Sequence, residues 1–160
     1  MHIESTRFGT FEVDDDSVLT FSDGLIGLPG TQYVLVAREE QLPFCWLHSV
    51  DHEDVAVPVT NPWLFFADYE IRVTDDEEER LQLTSPEEAE IVCVVRASSS
   101  LGEFTVNLAA PVVIHRAHRI GRQIINDAHG YAVRHPLFSE VELNDALPAA
   151  SSVPLQATAI

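Results

Sequence analysis

Two short runs of strict alternation, facing each other across a turn, leave this chain few folds to choose from. They lie in Pro43–Tyr69, PFCWLHSVDHEDVAVPVTNPWLFFADY. Phe44, Trp46, His48 and Val50 alternate with Cys45, Leu47 and Ser49. After a turn at Asp51–Asp54, Val55, Val57 and Val59 alternate with Ala56, Pro58 and Thr60. Period two on both sides of a polar turn is the signature of a β-hairpin. Pro58 has no N–H for a ladder, so its strand should be open or bulged at that point. The stretch ends in Asn61–Tyr69, where Trp63, Leu64, Phe65, Phe66 and Tyr69 gather beside Asp68. A loop that apolar either caps a core or meets a partner.

The remaining segments repeat the hairpin theme. His2–Glu4, Phe8–Val13, Ser17–Phe21 and Gln32–Ala37 read as strands. Between the last two, DGLIGLPG spaces Gly24, Gly27 and Gly30 by three, which suits a looping turn and not a dinucleotide fingerprint. Asp68–Val73 reads as extended. Glu90–Ala97 is almost continuously apolar and reads as a strand buried on both faces. Glu103–Val106, then Val112–His115 and Arg122–Ile125 around RAHRIG, follow, with Asn107–Pro111 as a small-residue crossing. Tyr131–Phe138 is the last ordered element. One helix is expected near 85–90, with Ser85 as its cap, Pro86 at its first position and Glu88 closing a capping box. About ten short strands with turn signals roughly every 8–12 residues define an all-β barrel or sandwich. One domain over 1–140 and a flexible tail over 141–160 are expected.

Charge narrows the function classes. The formal net charge is −17, and all nine basic residues are arginine. Such a field repels nucleic acid and anionic membrane and attracts basic partners. The acids concentrate in Asp75, Asp76, Glu77, Glu78, Glu79, Glu87, Glu88 and Glu90. That run reads either as a solvated face or as a docking patch for a basic protein. The amino-terminal residues MHIESTRFG lack the cationic head and apolar stretch of a signal peptide, and no apolar run reaches membrane-spanning length. A soluble, cytoplasmic protein is expected.

Catalytic patterns are weak. His115-x-x-His118 with His129 lacks the further ligands a zinc site needs. Cys45 and His48 have odd spacing, so on one strand they face opposite ways. No P-loop, nucleophile elbow, HExxH or EF-hand motif occurs. No cofactor and no catalytic residue is assigned. A small-ligand or cofactor-binding barrel, possible as an enzyme, and a generic structural domain of a larger assembly stand as the alternatives. A deep polar pocket and obligate oligomers would mark them respectively.

Taken in order, several segments resemble the flagellar assembly factor FliW family. They are Phe21, Gly24-Leu25 and Gly27, then Pro43-Phe44, Trp46-Leu47 and Ser49-Val50-Asp51. Asn61-Pro62, Phe65-Phe66 and Asp68-Tyr69-Glu70 follow, then Asn107-Leu108 and Ala110-Pro111. Gly121, Gln123 and Val133-Arg134-His135-Pro136-Leu137 complete the set. His48 stands where the family commonly has glutamine, which bears on one polar surface contact. The extension past Glu140 lies outside the pattern. The resemblance implies a small antiparallel β-barrel that acts by binding proteins, as a monomer without direct nucleic-acid or membrane contact. Its expected partners are the translational regulator CsrA, an RNA-binding dimer whose repression of flagellin synthesis it relieves, and flagellin, which displaces the regulator in a feedback loop. On this reading Asp75, Asp76, Glu77, Glu78, Glu79, Glu87 and Glu88 orient the regulator. Asn61, Pro62, Phe65, Phe66, Tyr69, Asn107 and Pro111 serve flagellin. Trp46, Asp68, Arg134, His135 and Pro136 are structural, with Arg134 paired to a surface carboxylate and Asp68 anchoring its loop.

Overall fold

The computed structural model describes residues 1–138. Among them are eleven strands: β1 (His2–Ile3), β2 (Phe11–Glu12), β3 (Leu19–Thr20), β4 (Gln32–Ala37), β5 (Phe44–Ser49), β6 (Ala56–Thr60), β7 (Ala89–Arg96), β8 (Thr105–Val106), β9 (Val112–His115), β10 (Ile120–Gln123) and β11 (His135–Pro136). One α-helix, α1 (Asp75–Arg80), interrupts them. The tail expected over 141–160 lies outside the described residues.

Seven strands close a barrel in the order β7-β6-β5-β4-β3-β10-β9, with β9 returning to β7. Every pairing is antiparallel except one parallel bridge, Thr20 to Ile120. β8 and β11 extend the sheet outside the barrel, and β1–β2 form a separate ribbon. The expected hairpin is β5–β6, with Trp46 opposite Pro58. Ser49 N–H donates to the Val55 carbonyl at 2.9 Å. Alternation therefore gives the ladder bonds between β5 and β6 to the odd-numbered residues, and Pro58 turns its nitrogen the other way. On that side β6 meets β7 only from Val59 onward. The proline thus sits where the sheet is open, as its chemistry requires.

β7 is the long strand of the fold, and it changes partners along its length. Ala89–Val92 pair with β9, and Val95–Arg96 pair with β8. From Val95↔Val106 to Val92↔Val112, β7 moves three residues while the other chain moves six. The Asn107–Pro111 crossing absorbs the extra three as a bulge. In the middle of β7, Val92 on one face and Cys93 and Val95 on the other are buried, which explains the apolar run there. Its inward residue Val92 joins Leu19, Phe21, Tyr33, Leu47, Val59, Val112 and Ile114 in the barrel interior. That interior is filled by its own side chains. Cys93 and Val95 point outward into a second cluster with Phe44, Tyr69, Phe104, Val106, Leu108 and Leu137. A third cluster, Leu81, Val113 and Ile124, lies beneath α1.

The amino-terminal ribbon covers the outer face of β5. Phe8 meets Trp46 edge-on at 5.7 Å, and Phe11 meets His48 at the same distance. The Arg7 guanidinium lies 4.4 Å from the Trp46 ring centroid. The Trp46 indole N–H donates to the Gln41 side-chain oxygen at 2.7 Å. Trp46 is 3% exposed beneath these contacts. Cys45 packs with the barrel interior while His48 packs outside it, the opposite facing that their spacing predicts.

The helix differs from the sequence expectation in its place. The α-helix is Asp75–Arg80, capped by Thr74, whose hydroxyl accepts from Glu77 N–H at 3.2 Å. Pro86–Glu88 makes only one 3-10 turn. Glu88 accepts from the Thr84 N–H at 3.1 Å, and the Ser85 hydroxyl instead donates to Glu87. The reason is room: β7 begins at Ala89, so nothing after Pro86 has space to propagate a helix. The first turn of α1 carries Asp75, Asp76, Glu77 and Glu78, and its last carries Arg80, the charge order a helix dipole favours. Asp68–Val73 forms no strand, and β10 begins two residues before Arg122.

Candidate protein-binding surface

The acidic segment divides into carboxylates that hold the fold and carboxylates that face solvent unpaired. Glu77 accepts from Arg122, whose side chain is 19% exposed, and a second guanidinium N–H reaches Glu77 at 3.3 Å. Arg122 also pairs with Asp23, and the hydrogen bond from Arg122 holds Asp23 below the usual carboxylate range. Arg80 bonds Asp76 at 2.9 Å along the helix. This network ties α1 to β10 and to the glycine-spaced loop. Asp75, Glu78 and Glu79 are exposed, and their carboxylates have no partner among the described residues.

Glu87 and Glu88 also serve internal structure. The Ser85 hydroxyl draws the Glu87 carboxyl below its ordinary value. Glu88 is lowered to about 2, first by the Thr84 hydroxyl, with further help from the Thr84 N–H and the His115 ring. His115 is 1% exposed. Its Nδ1 lies 3.2 Å from the N–H groups of both Ala117 and His118, so it accepts. Nε2 therefore carries the proton and donates to Glu88 at 2.7 Å. His129 sits apart on Glu70, at 2.7 Å. Among the described residues, no three His, Cys, Asp or Glu side chains are grouped to hold a metal ion.

The Glu88 tie sets an expected result. A carboxyl whose folded value is depressed adds stability above its unfolded value, here 4.5, and that stability is lost as pH falls toward about 2. Thr84→Ala will raise the Glu88 value. It will also flatten the stability-versus-pH curve between those limits, leaving the curve near neutrality parallel to wild type. Urea midpoints measured across that acid range check it.

The aromatic loop is mostly a lid on the second cluster. Asn61 caps its turn by accepting the Trp63 N–H at 2.9 Å, and Pro62 is buried. Phe65 packs on Phe44 at 6.0 Å, and Phe66 meets His135 at 5.0 Å. Tyr69 is 4% exposed; its hydroxyl donates to the Leu108 carbonyl at 2.8 Å and accepts from the Asn126 amide at 3.1 Å. Burial pushes the Tyr69 phenol well up, and it pushes the Cys93 thiol beneath it up to about 12. In the crossing, Asn107 accepts the Ala110 N–H at 3.0 Å, and Pro111 is buried. The Tyr69–Leu108 bond therefore brings the loop and the crossing together. Most of their expected partner-binding residues face inward.

Other residues carry the exposed apolar surface. Trp63 is 38% exposed, Leu64 62%, Ile26 63%, Ile125 71% and Val133 61%. Gln123 ties Ile26 to the crossing: its side-chain oxygen accepts Ile26 N–H at 2.8 Å, and its amide donates to Ala110 O at 3.0 Å. Sequence reading missed Ile26 and Ile125. Ile125 follows the end of β10 at Gln123, which no local pattern marks, and Ile26 lies in the glycine-spaced loop outside every strand.

Three structural expectations are corrected. His48 makes no surface contact: it is 0% exposed, its Nδ1 lies 2.7 Å from the Ser49 carbonyl, and its Nε2 is buried without a partner among the described residues. Arg134 is exposed, just before β11, and pairs with no carboxylate among the described residues. Asp68 is exposed and makes no anchoring hydrogen bond among them; Asn61 and Trp63 hold that loop instead, the latter through its indole N–H to Tyr69 O at 2.8 Å. His135 and Pro136 form the edge strand β11.

These features define a closed, acidic all-β barrel with apolar clusters on its outer wall and three unpaired carboxylates on its helix. The family model described as "FliW protein" matches residues 2–137. The chain belongs to the flagellar assembly factor FliW family. It is 34% identical over 146 residues to the flagellar assembly factor FliW of Desulfitobacterium hafniense (strain Y51), covering 91% of this chain and 96% of that protein. The Magnetococcus marinus protein of the same name is 37% identical over 142 residues, covering 88% of this chain and 86% of the relative. A crystal structure of the flagellar assembly factor FliW superposes with a TM-score of 0.81 at 30% identity, covering 88% of this chain and 99% of that one. The family assigns this protein a role in flagellum assembly. No helix among the described residues is long and apolar enough to cross a membrane.

Proposed function

We propose that this chain is a cytoplasmic, non-enzymatic regulatory factor that holds a CsrA-type translational regulator and flagellin in turn. Binding the regulator relieves its repression of flagellin synthesis, and free flagellin displaces it. The unit responsible is 1–140, acting as a monomer. The observation that carries this reading is membership of the FliW family across residues 2–137. The chemistry of the surface supports it. An RNA-binding regulator is cationic where it meets phosphate, and a protein of net charge −17 attracts it. With arginine as its sole strong cation, and Arg122 and Arg80 engaged by carboxylates, direct RNA binding is disfavoured.

The acidic helix serves the regulator, through Asp75, Glu78 and Glu79, while Asp76, Glu77, Glu87 and Glu88 hold the shape of that face. The Asn61–Tyr69 loop and the Asn107–Pro111 crossing serve flagellin, with Trp63 and Leu64 supplying exposed apolar area. The test is co-elution. The purified chain mixed with the regulator dimer, and separately with flagellin monomer, will give two distinct complexes by size-exclusion chromatography. Absence of both complexes would remove the reading.

A further inference from the structure

A groove of about 450 Å³ runs between α1 and the outer face of β7. Its floor is apolar: Ile71, Val73, Leu83, Ala89 and Ile91, all partly buried, over the buried Val113. These residues reach it for topological reasons. Ala89 and Ile91 are the outward residues at the start of β7, while Val92 points into the barrel. Ile71 and Val73 come from an extended segment outside every strand, fixed by the Arg72 N–H on the Asn126 side-chain oxygen at 3.1 Å. Leu83 follows the helix, held by its own N–H on the Glu78 carbonyl at 2.9 Å. The floor is thus a shelf of side chains that α1 overhangs without covering.

The rim decides what fits there. Glu78 lines it with an unpaired carboxylate, and Asp75 and Glu79 stand beside it on the same helix. The cation of the rim, Arg72, is already engaged 3.5 Å from Asp127. An apolar floor beneath unpaired acids favours a segment with aliphatic side chains on one face and lysine or arginine on the other. An acidic or purely polar segment would lose on one count or both.

We infer that this groove seats a basic amphipathic segment of the translational regulator, whose aliphatic side chains enter it while its cations meet Asp75, Glu78 and Glu79. This rests on the function proposed above and supplies what charge alone lacks: an apolar anchor that slows dissociation, where the acids mainly speed encounter.

The experiment titrates the regulator dimer, by calorimetry, into the wild-type chain and into Ala89→Phe. The phenylalanine fills the groove from its own floor, at an outward strand position that favours aromatic residues. Regulator affinity will fall at least tenfold, roughly the loss of one well-buried anchor, with flagellin affinity and the thermal midpoint unchanged. Should Ala89→Phe fold poorly, the wild-type methyl spectrum decides: Val73, Leu83 and Ile91 signals will shift on regulator addition. Wild-type binding with an unaffected Ala89→Phe affinity, or with still methyls, would overturn the groove and leave the proposed function standing. Failure of the regulator to bind wild type would overturn both. Self-association of the chain, abolished by Ala89→Phe, would overturn the inference in favour of a second copy as occupant.

Discussion

Gly121→Ala will lower the thermal unfolding midpoint by about 6 °C, the equivalent of about 2 kcal/mol of overpacking. Gly121 lies in β10, paired with Ile114 of β9. A methyl built on it would sit inside the van der Waals shell of Phe21 Cε1 and 3.0 Å from both Cδ1 and Cζ. Phe21 is 0% exposed and packs edge-on against Tyr33 at 5.9 Å, so its ring has no direction in which to yield. The glycine is therefore required by the close approach of Phe21 beside the neighbouring strand β3 and not by backbone freedom. Phe21→Leu in the Gly121→Ala background will recover part of the loss, because the clash is between those two positions. Calorimetric melts of wild type, Gly121→Ala, Phe21→Leu and the double variant check both points. An unchanged midpoint in Gly121→Ala would mean that the interior is looser than the geometry requires.

Converting Asp75, Glu78 and Glu79 together to lysine will weaken regulator binding by about tenfold or more at low salt, mostly through the association rate. The change moves the net charge from −17 to −11, three reversals of two charges each. The deficit will shrink as salt rises, since these groups are solvent-exposed and screened. Flagellin binding will stay at the wild-type level. Glu77 is deliberately left out, because it holds Arg122 and its loss would confound binding with stability. Stopped-flow association at several salt concentrations makes the measurement. Equal rates for the triple variant and wild type would exclude α1 as the steering face.

The sequence made the sheet legible wherever one face had a single fate. In β5 the alternation of Cys45 and Leu47 against Trp46 and His48 maps directly onto inside and outside. Pro58 marks the open stretch of β6 for the same local reason. Contacts between distant segments were not legible. Thr74-Asp75-Asp76-Glu77 and Ser85-Pro86-Glu87-Glu88 carry similar helix-start signals, and the choice between them is made by the start of β7 at Ala89. The Asn61–Tyr69 loop reads the same whether it caps a core or meets a partner. It becomes a cap through the Tyr69–Leu108 bond, spanning 39 residues.

The residues that carried the family resemblance prove informative in a different way. Asn107 closes the crossing, Gln123 ties the crossing to the loop at Ile26, and Gly121 admits Phe21. These are ties of the scaffold. The unpaired acids of α1 and the exposed Trp63, Leu64, Ile26 and Ile125 lie largely outside those motifs. The motifs therefore identify the barrel, while the surface on it that meets other proteins is set by which side chains the ties leave over.

The most direct measurement is a displacement titration. The chain is loaded with fluorescently labelled regulator dimer, and unlabelled flagellin monomer is added while anisotropy is followed. The labelled regulator will be released in proportion to flagellin added, and the Asp75, Glu78 and Glu79 lysine variant will start from a weaker complex. A regulator signal that never forms, or one that flagellin leaves untouched at saturation, would contradict it.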